Sequence, residues 1–289
     1  MHVIWPTDGS PGARRALPSV ALVCRSAFDR VTVTTVDEPR YVDVARSLMG
    51  APPAPDGPAE TATRLAEQLQ AVAGLPGRVE GIPLAGLAGA EIVGLAERLR
   101  PDLVALGSHE DRAALRLMMG STSAFVARHA PASVLVVRRE HPPRSILVAD
   151  SGSADARAAL PLLQRLVLPG ATHLRVVRVV RDGPVGLRQF GPYRLADAAN
   201  REARIALHAL REDYRAAGLE VTSVILRGDP WERLRAEIAK MRPDLIVVGA
   251  AGGRSIRMVP GGIADRVLRE TAASVLIARQ RRSRRLNFG

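Results

Sequence analysis

The chain has 289 residues, 47% of them apolar, with 41 Lys and Arg against 29 Asp and Glu and a single cysteine, Cys24. The formal net charge of +12 invites a nucleic-acid reading, but aromatic residues make up only 3%, too few for platforms that stack single-stranded bases. One cysteine excludes an intrachain disulfide framework or a cysteine metal site, and no apolar run approaches the roughly 20 residues of a membrane span.

No basic-then-apolar leader opens the chain, so a cytoplasmic location is expected. Lys240 is the sole lysine, and arginine is spread through the sequence, so the charge reads as compositional bias. The concentrated run Arg279 to Arg285 reads as a solvated tail.

Residues His2 to Pro6 are apolar and end in Thr-Asp-Gly-Ser, a strand followed by a turn. Helical spacing follows over Pro11 to Arg25, and Val31 to Asp37 is a β-branched run that predicts a buried strand. Glu38 to Pro58, rich in Pro, Ala and Gly, is expected to be a mobile surface excursion. The pattern then predicts a helix over Ala59 to Ala73, a strand over Arg78 to Ile82, and a helix from Gly89 to Arg100 stopped by Pro101. Leu103 to Gly107 is a strand, Ser121 to His129 a helix, and Ser133 to Val137 a last strand.

Arg138 to Arg144 contains His-Pro-Pro and reads as a linker, after which the order repeats. Strands are predicted at Ser145 to Ala149, Leu174 to Val180, Glu220 to Leu226, Leu245 to Gly249 and Ser274 to Ala278. Helices are predicted at Ala154 to Leu166, Leu195 to Ala217, Pro230 to Met241 and Ala264 to Thr271. Arg-Pro-Asp-Leu-Val-Ala-Leu-Gly at 100–107 returns as Arg-Pro-Asp-Leu-Ile-Val-Val-Gly at 242–249, an offset of 142. The same offset carries Asp8 onto Asp150 and Gly86 onto Gly228, so a whole domain is duplicated. Strands alternating with helices define an α/β protein of two doubly wound domains, each a five-stranded parallel sheet flanked by helices. The domains are expected at 1–139 and 144–279, with a basic tail at 280–289.

In an open α/β sheet ligands bind beyond the carboxyl ends of the strands, where the strand order reverses. Pro6, Thr7 and Asp8 follow the first strand of one half, and Asp150 ends the first strand of the other. After the fourth strands come Gly107-Ser108-His109-Glu110, leading to Gly120-Ser121-Thr122, and Gly249-Ala250-Ala251-Gly252, leading to Gly261-Gly262-Ile263. Glycines admit a phosphate close to the backbone, free N–H groups at a helix start attract anions, and an aspartate accepts from a ribose hydroxyl or base amine. Each glycine alone also reads as an ordinary turn or cap residue.

Together these residues resemble the universal stress protein family, as a tandem pair covering nearly the whole chain. In that family an aspartate ends strand one. The loop after strand four runs Gly, two residues, Gly, nine residues, Gly, then Ser or Thr, and ATP-binding members hold the nucleotide between the two places. The resemblance implies an adenine-nucleotide alpha-hydrolase-like fold, ATP with Mg as the cofactor, and a stress-related regulatory role. It carries over Pro6, Thr7, Asp8, Val36, Gly107, Gly120, Ser121 and Thr122 in the first half, and Asp150, Gly249, Gly252, Gly261, Gly262 and Ile263 in the second.

Two departures matter. Glu110 stands where the family has its second glycine and sets a carboxylate among phosphates. In the second half the spacing to Gly261 is one residue short; taking Gly262 restores the spacing but puts Ile263 where a hydroxyl is due. That costs one hydrogen bond, about 1 kcal/mol, and Arg254 and Arg257 lie on the same loop. The second pocket is therefore expected to be the better ATP site, with Asp150, and Asp8 where its pocket is occupied, binding nucleotide without serving as a base.

Enzymatic signatures are thin. No Gly-Lys of a Walker loop, Gly-x-Ser-x-Gly elbow or His-Glu-x-x-His pair occurs. Ser151-Gly152-Ser153-Ala154-Asp155-Ala156 only partly resembles the pyrophosphate loop of ATP pyrophosphatases. Besides a nucleotide-binding regulator, a scaffold with degenerate pockets and, further off, a slow hydrolase or adenylating enzyme stay open. The expected partners are an adenine nucleotide and the other half of the same chain, whose last strands Ser-Val-Leu-Val-Val and Ser-Val-Leu-Ile-Ala are apolar edges that invite pairing. A homodimer of the whole chain is compatible with the sequence, no protein partner is specified, and nucleic acid and membrane are not expected.

Overall fold

A computed structural model describes residues 1–38, 57–108, 120–166, 172–181, 193–216, 218–250 and 262–280. Apolar, β-branched runs with both faces covered become parallel strands. In the first half they are β1 (His2–Pro6), β2 (Arg30–Asp37), β3 (Arg78–Ala85), β4 (Leu103–Gly107) and β5 (Ser133–Val137). In the second they are β6 (Ser145–Asp150), β7 (His173–Val180), β8 (Glu220–Arg227), β9 (Leu245–Gly249) and β10 (Ser274–Ala278). All lie in one sheet of order β3-β2-β1-β4-β5-β10-β9-β6-β7-β8. Every neighbouring pair is parallel except β5 with β10, where Val136 faces Val275 and Leu135 faces Leu276 in antiparallel register.

The helices are α1 (Pro11–Arg14), α2 (Leu17–Val23), α3 (Gly57–Val72), α4 (Ala88–Leu99), α5 (Ser121–His129), α6 (Ala154–Ala158), α7 (Leu160–Leu166), α8 (Tyr193–Ala216), α9 (Pro230–Met241) and α10 (Ile263–Glu270). Alternate strand residues feed two cores that run through both halves. One packs Trp5, Val33, Ile146 and Val148 against α2, α3, α7 and α8. The other packs Ile4, Val104, Leu147 and Val177 against α4, α5, α9 and α10.

The single helices expected at Pro11 to Arg25 and Ala154 to Leu166 are each two shorter ones. Pro18 and Pro161 have no N–H to give to the preceding turn. Ahead of Pro18 the backbone tightens, with Arg15 and Ala16 bonding three residues back, to Gly12 and Ala13. Strand β3 runs past the expected Ile82 through Pro83, which an edge strand tolerates because one side of its backbone needs no partner. Of the excursion expected at Glu38 to Pro58, residues 39–56 lie outside the described residues; Gly57 and Pro58 open α3.

The halves also meet at Asp29, which is 2% exposed. Its carboxylate accepts from the Met1 ammonium at 2.8 Å, the Ser26 amide at 2.8 Å and, across the junction, Arg165 at 2.6 Å. Burial alone would raise its pKa, but the hydrogen bonds from Met1, Ser26 and Arg165 outweigh burial and hold it below the ordinary value. A depressed carboxylate contributes stability above the unfolded value of about 3.9 and loses it as pH falls through the folded value. Thermal unfolding between pH 7 and pH 3 should therefore show a larger drop for the wild type than for Asp29→Asn; equal drops would remove Asp29 from the acid response.

Candidate functional site

The strand order reverses between β1 and β4 and again between β6 and β9, which opens a crevice beyond their carboxyl ends. Each holds a cavity. The first, about 330 Å³, brings together the candidates Pro6, Thr7, Asp8, Val36, Gly107 and Thr122, with Thr34, Asp37, Glu38, Glu60, Arg64 and Ile92 in the same wall. The second, about 280 Å³, includes the candidates Asp150, Gly249, Gly262 and Ile263, with Ala149, Ser151, Val177, Val179, Leu234 and Val248. Gly120 caps α5 and Ser121 is its first, exposed residue, just ahead of the wall residue Thr122. Gly252 and Gly261, together with His109, Glu110, Arg254 and Arg257, lie outside the described residues.

Strand register corrects the correspondence between the halves. Val3 pairs with Leu103 and Ile146 with Leu245; residues 103 and 245 differ by 142, but 3 and 146 differ by 143. Asp150 therefore stands where Thr7 stands, and Ser151 where Asp8 stands. The turn that follows agrees. Gly9 and Gly152 have φ of 77° and 76°, and their amides donate to Thr7 Oγ1 at 3.1 Å and Asp150 Oδ1 at 2.9 Å. The offset of 142 holds at Gly86 and Gly228, with φ of 132° and 125°, and a constant offset cannot reveal a one-residue difference in length between them and the first strands.

This shift separates the two aspartates. Asp8 is exposed at the mouth of the first cavity, its Oδ1 accepting from the Ser10 amide at 2.9 Å. Asp150 is 5% exposed, and its Oδ2 takes Nε and Nη2 of Arg178 at 2.8 and 2.5 Å. Pro6 pairs with Thr34 and Ala149 with Val177, so Arg178 occupies the place of Thr35. Two buried threonines of the first half, Thr7 and Thr35, are thus an ion pair in the second, on the sheet face of Val148 and Val176. The expected role of Asp150 as an acceptor for adenosine competes with Arg178, which takes Oδ2 through two nitrogens, and with the Gly152 amide, which takes Oδ1.

At the helix starts, Gly262 caps α10 as Gly120 caps α5, and neither glycine offers a side chain to the first amides. Those backbone donors can serve an anion. Of the two alignments left open, the helix start selects Gly262, and Ile263 takes the position of Ser121. The first cavity also carries an acidic rim. Glu38 accepts from the Ala88 amide at 2.8 Å, Glu60 pairs with Arg64 at 2.9 Å, and Asp37 ends β2. Sequence reading missed Thr34, Asp37 and Glu38 at the end of β2 and Glu60 and Arg64 on α3, because nothing local ties either element to the first strand. Arg178 had a signal: a charged residue inside Val-Val-Arg-Val-Val demands a buried partner.

Among the described residues no helix is long and apolar enough to cross a membrane, and no group of three or more His, Cys, Asp and Glu could hold a metal ion. The fold and its paired crevices define a tandem α/β protein with a ligand-sized cavity at the switch point of each half. The universal stress protein family model matches residues 1–138 and again 143–279, and the chain belongs to that family. It is similar to a universal stress protein from Archaeoglobus fulgidus DSM 4304, 20% identical, over 97% of this chain and 98% of that one, with a TM-score of 0.68. A protein described as functionally unknown, from Pseudomonas aeruginosa PAO1, is 15% identical over 97% and 92%, with a TM-score of 0.59. At these identities the likeness is one of fold. Among curated proteins no sequence matches this chain.

Proposed function

We propose that this protein is a stress-related regulator that binds an adenine nucleotide in its first half, with Asp8 toward the nucleoside. One observation carries the reading: Pro6, Thr7, Asp8, Val36, Gly107 and Thr122, all singled out by motif, line one cavity at a strand-order reversal. Its volume of about 330 Å³ lies in the range of ligand pockets. Val36, Ile92 and Leu106 offer an apolar wall to a planar base, and Asp8 offers an acceptor at the mouth. ATP is the ligand the family resemblance implies, with Mg as the cation that would accompany its phosphates; the residues present fit the nucleoside end. The first half is preferred to the second, where the loop glycines pointed, because Asp8 is exposed at its cavity while Asp150, in the wall of the other, is buried and paired with Arg178. Domain limits of 1–139 and 144–279 with a basic tail at 280–289, pairing of the halves within one chain, and a cytoplasmic setting belong to the same reading. The antiparallel β5–β10 join supports the pairing.

Calorimetric titration of the full chain with ATP and with adenosine tests this. Asp8→Ala should weaken both by tenfold or more, since a hydrogen bond to a charged group contributes about 1.5–3 kcal/mol. Asp150→Ala should leave the affinity within about twofold, provided the protein stays folded. Loss of binding only in Asp150→Ala would return the site to the second half. Absence of any ATP heat, with the fold intact by circular dichroism, would leave the scaffold as the reading.

A further inference from the structure

The second cavity differs from the first in a consistent chemical direction. Thr34, beside Pro6, becomes Val177, beside Ala149. Thr122, the second residue of α5, becomes Ala264, the second residue of α10. Asp8 becomes Ser151, by the register given above. Volume is nearly kept, about 280 Å³ against about 330 Å³, so where the first cavity has two threonines and an aspartate the second has two alkyl side chains and a serine, without the space being filled. Asp150 is the only ionisable group among the described residues of this wall, and it is already paired with Arg178. The first wall, by contrast, carries Asp8, Asp37, Glu38, Glu60 and Arg64.

We propose that the cavity of the second half, between Val177, Val179, Leu234, Val248 and Ala264, is a binding site for a small, uncharged, largely hydrophobic molecule. A phosphate or a sugar hydroxyl set against these alkyl groups would lose water there, and the polar groups of the described wall are few: Asp150, already paired with Arg178, Ser151 and the first amides of α10. An apolar molecule loses only its hydration shell there, which is favourable in proportion to the area covered. The proposal concerns the second half alone and does not rest on nucleotide binding in the first. One chain would then sense two ligands of opposite polarity, through two cavities in one continuous sheet.

The test is fluorescence titration of the full chain with N-phenyl-1-naphthylamine, an uncharged probe that brightens in apolar surroundings. The wild type should show saturable brightening at one site per chain, unchanged by excess ATP and unchanged in Asp8→Ala. Val179→Trp, which fills the cavity from a half-buried position, should abolish it with the circular dichroism preserved. Val177→Thr restores the first-half residue; in the first half Thr34 donates to the Ile82 carbonyl at 2.7 Å, and Val224 holds the matching place beside Val177. That variant folds on its own hydrogen bond and should weaken the probe at least fivefold, which decides the matter if Val179→Trp fails to fold. The proposal is overturned if the folded wild type gives no saturable signal, if a folded Val179→Trp binds as well as wild type, if Val177→Thr leaves the affinity unchanged, or if ATP displaces the probe competitively. A failure of ATP to bind at all would count against the nucleotide reading and leave this one standing.

Discussion

Gly107→Ala is expected to destabilise the protein by more than about 3 kcal/mol, above the usual range for an overpacked core, while Gly249→Ala costs under about 1.5 kcal/mol. The two glycines hold the same place in the loop motif, but their surroundings differ. A Cβ on Gly107 would lie 1.9 Å from the Gly12 carbonyl oxygen and 2.7 Å from the Ala13 Cα, both backbone atoms that cannot turn aside. A Cβ on Gly249 would lie 3.1 Å from Asp155 Cβ and 3.2 Å from Ser153 Oγ, side-chain atoms that can shift by a few tenths of an ångström. In the register set by Gly9 and Gly152, Asp155 holds the place of Gly12. The side chain there keeps α6 further from β9 than α1 stands from β4. Equilibrium urea unfolding followed by far-ultraviolet dichroism measures both costs, and equal costs would refute the close-approach argument. Loss of ligand binding in Gly107→Ala would then report a broken fold before it reported a missing phosphate contact.

Arg279→Ala should cost about 3 kcal/mol, because it leaves two buried carbonyls without partners at about 1–3 kcal/mol each. The join between the halves is closed by two arginines acting in opposite directions. Arg138, after β5, donates to Ala273 O at 2.8 Å and Leu268 O at 2.5 Å in the second half. Arg279, after β10, donates to Ala132 O at 3.1 Å and Ala127 O at 2.5 Å in the first. Each guanidinium thus meets one carbonyl in the last turn of the helix across the join, Leu268 or Ala127, and one just beyond it, where a positive charge also suits the helix dipole. Arg279 is 7% exposed, and burial pushes its pKa down to about 10, so it stays charged at neutral pH. Arg279→Lys should recover less than half the loss, since one ammonium cannot span both carbonyls. Thermal unfolding of the three proteins measures this. A lysine variant as stable as wild type would show that charge alone, and not the forked geometry, holds the join.

The strands were legible because a parallel strand covered on both faces is an apolar run, as in Leu245–Gly249 and Ser133–Val137. Helix breaks were less so: Pro18 and Pro161 fall early in patterns whose apolar spacing continues past them. Pro83 marked a strand end by local rules, and only the edge position of β3 explains why the strand continues. In the site, the glycines and aspartates after the first and fourth strands were found by type. Glu60 and Arg64 were not, since α3 meets β1's loop only when the sheet is assembled.

Local pattern alone determined that this chain is two α/β halves with turn glycines and acceptors at the strand ends, because burial and turn chemistry act over a few neighbouring residues. Only the tertiary structure decided which aspartate is exposed at its cavity and which is buried in an ion pair. Strand register is a contact between residues a hundred positions apart, as Val3 with Leu103 and Ile146 with Leu245. A shift of one residue turns a side chain to the opposite face of the sheet. That shift sets Asp8 at a cavity mouth and folds Asp150 against Arg178, two fates that an aspartate after an apolar strand shares equally until the strands are paired.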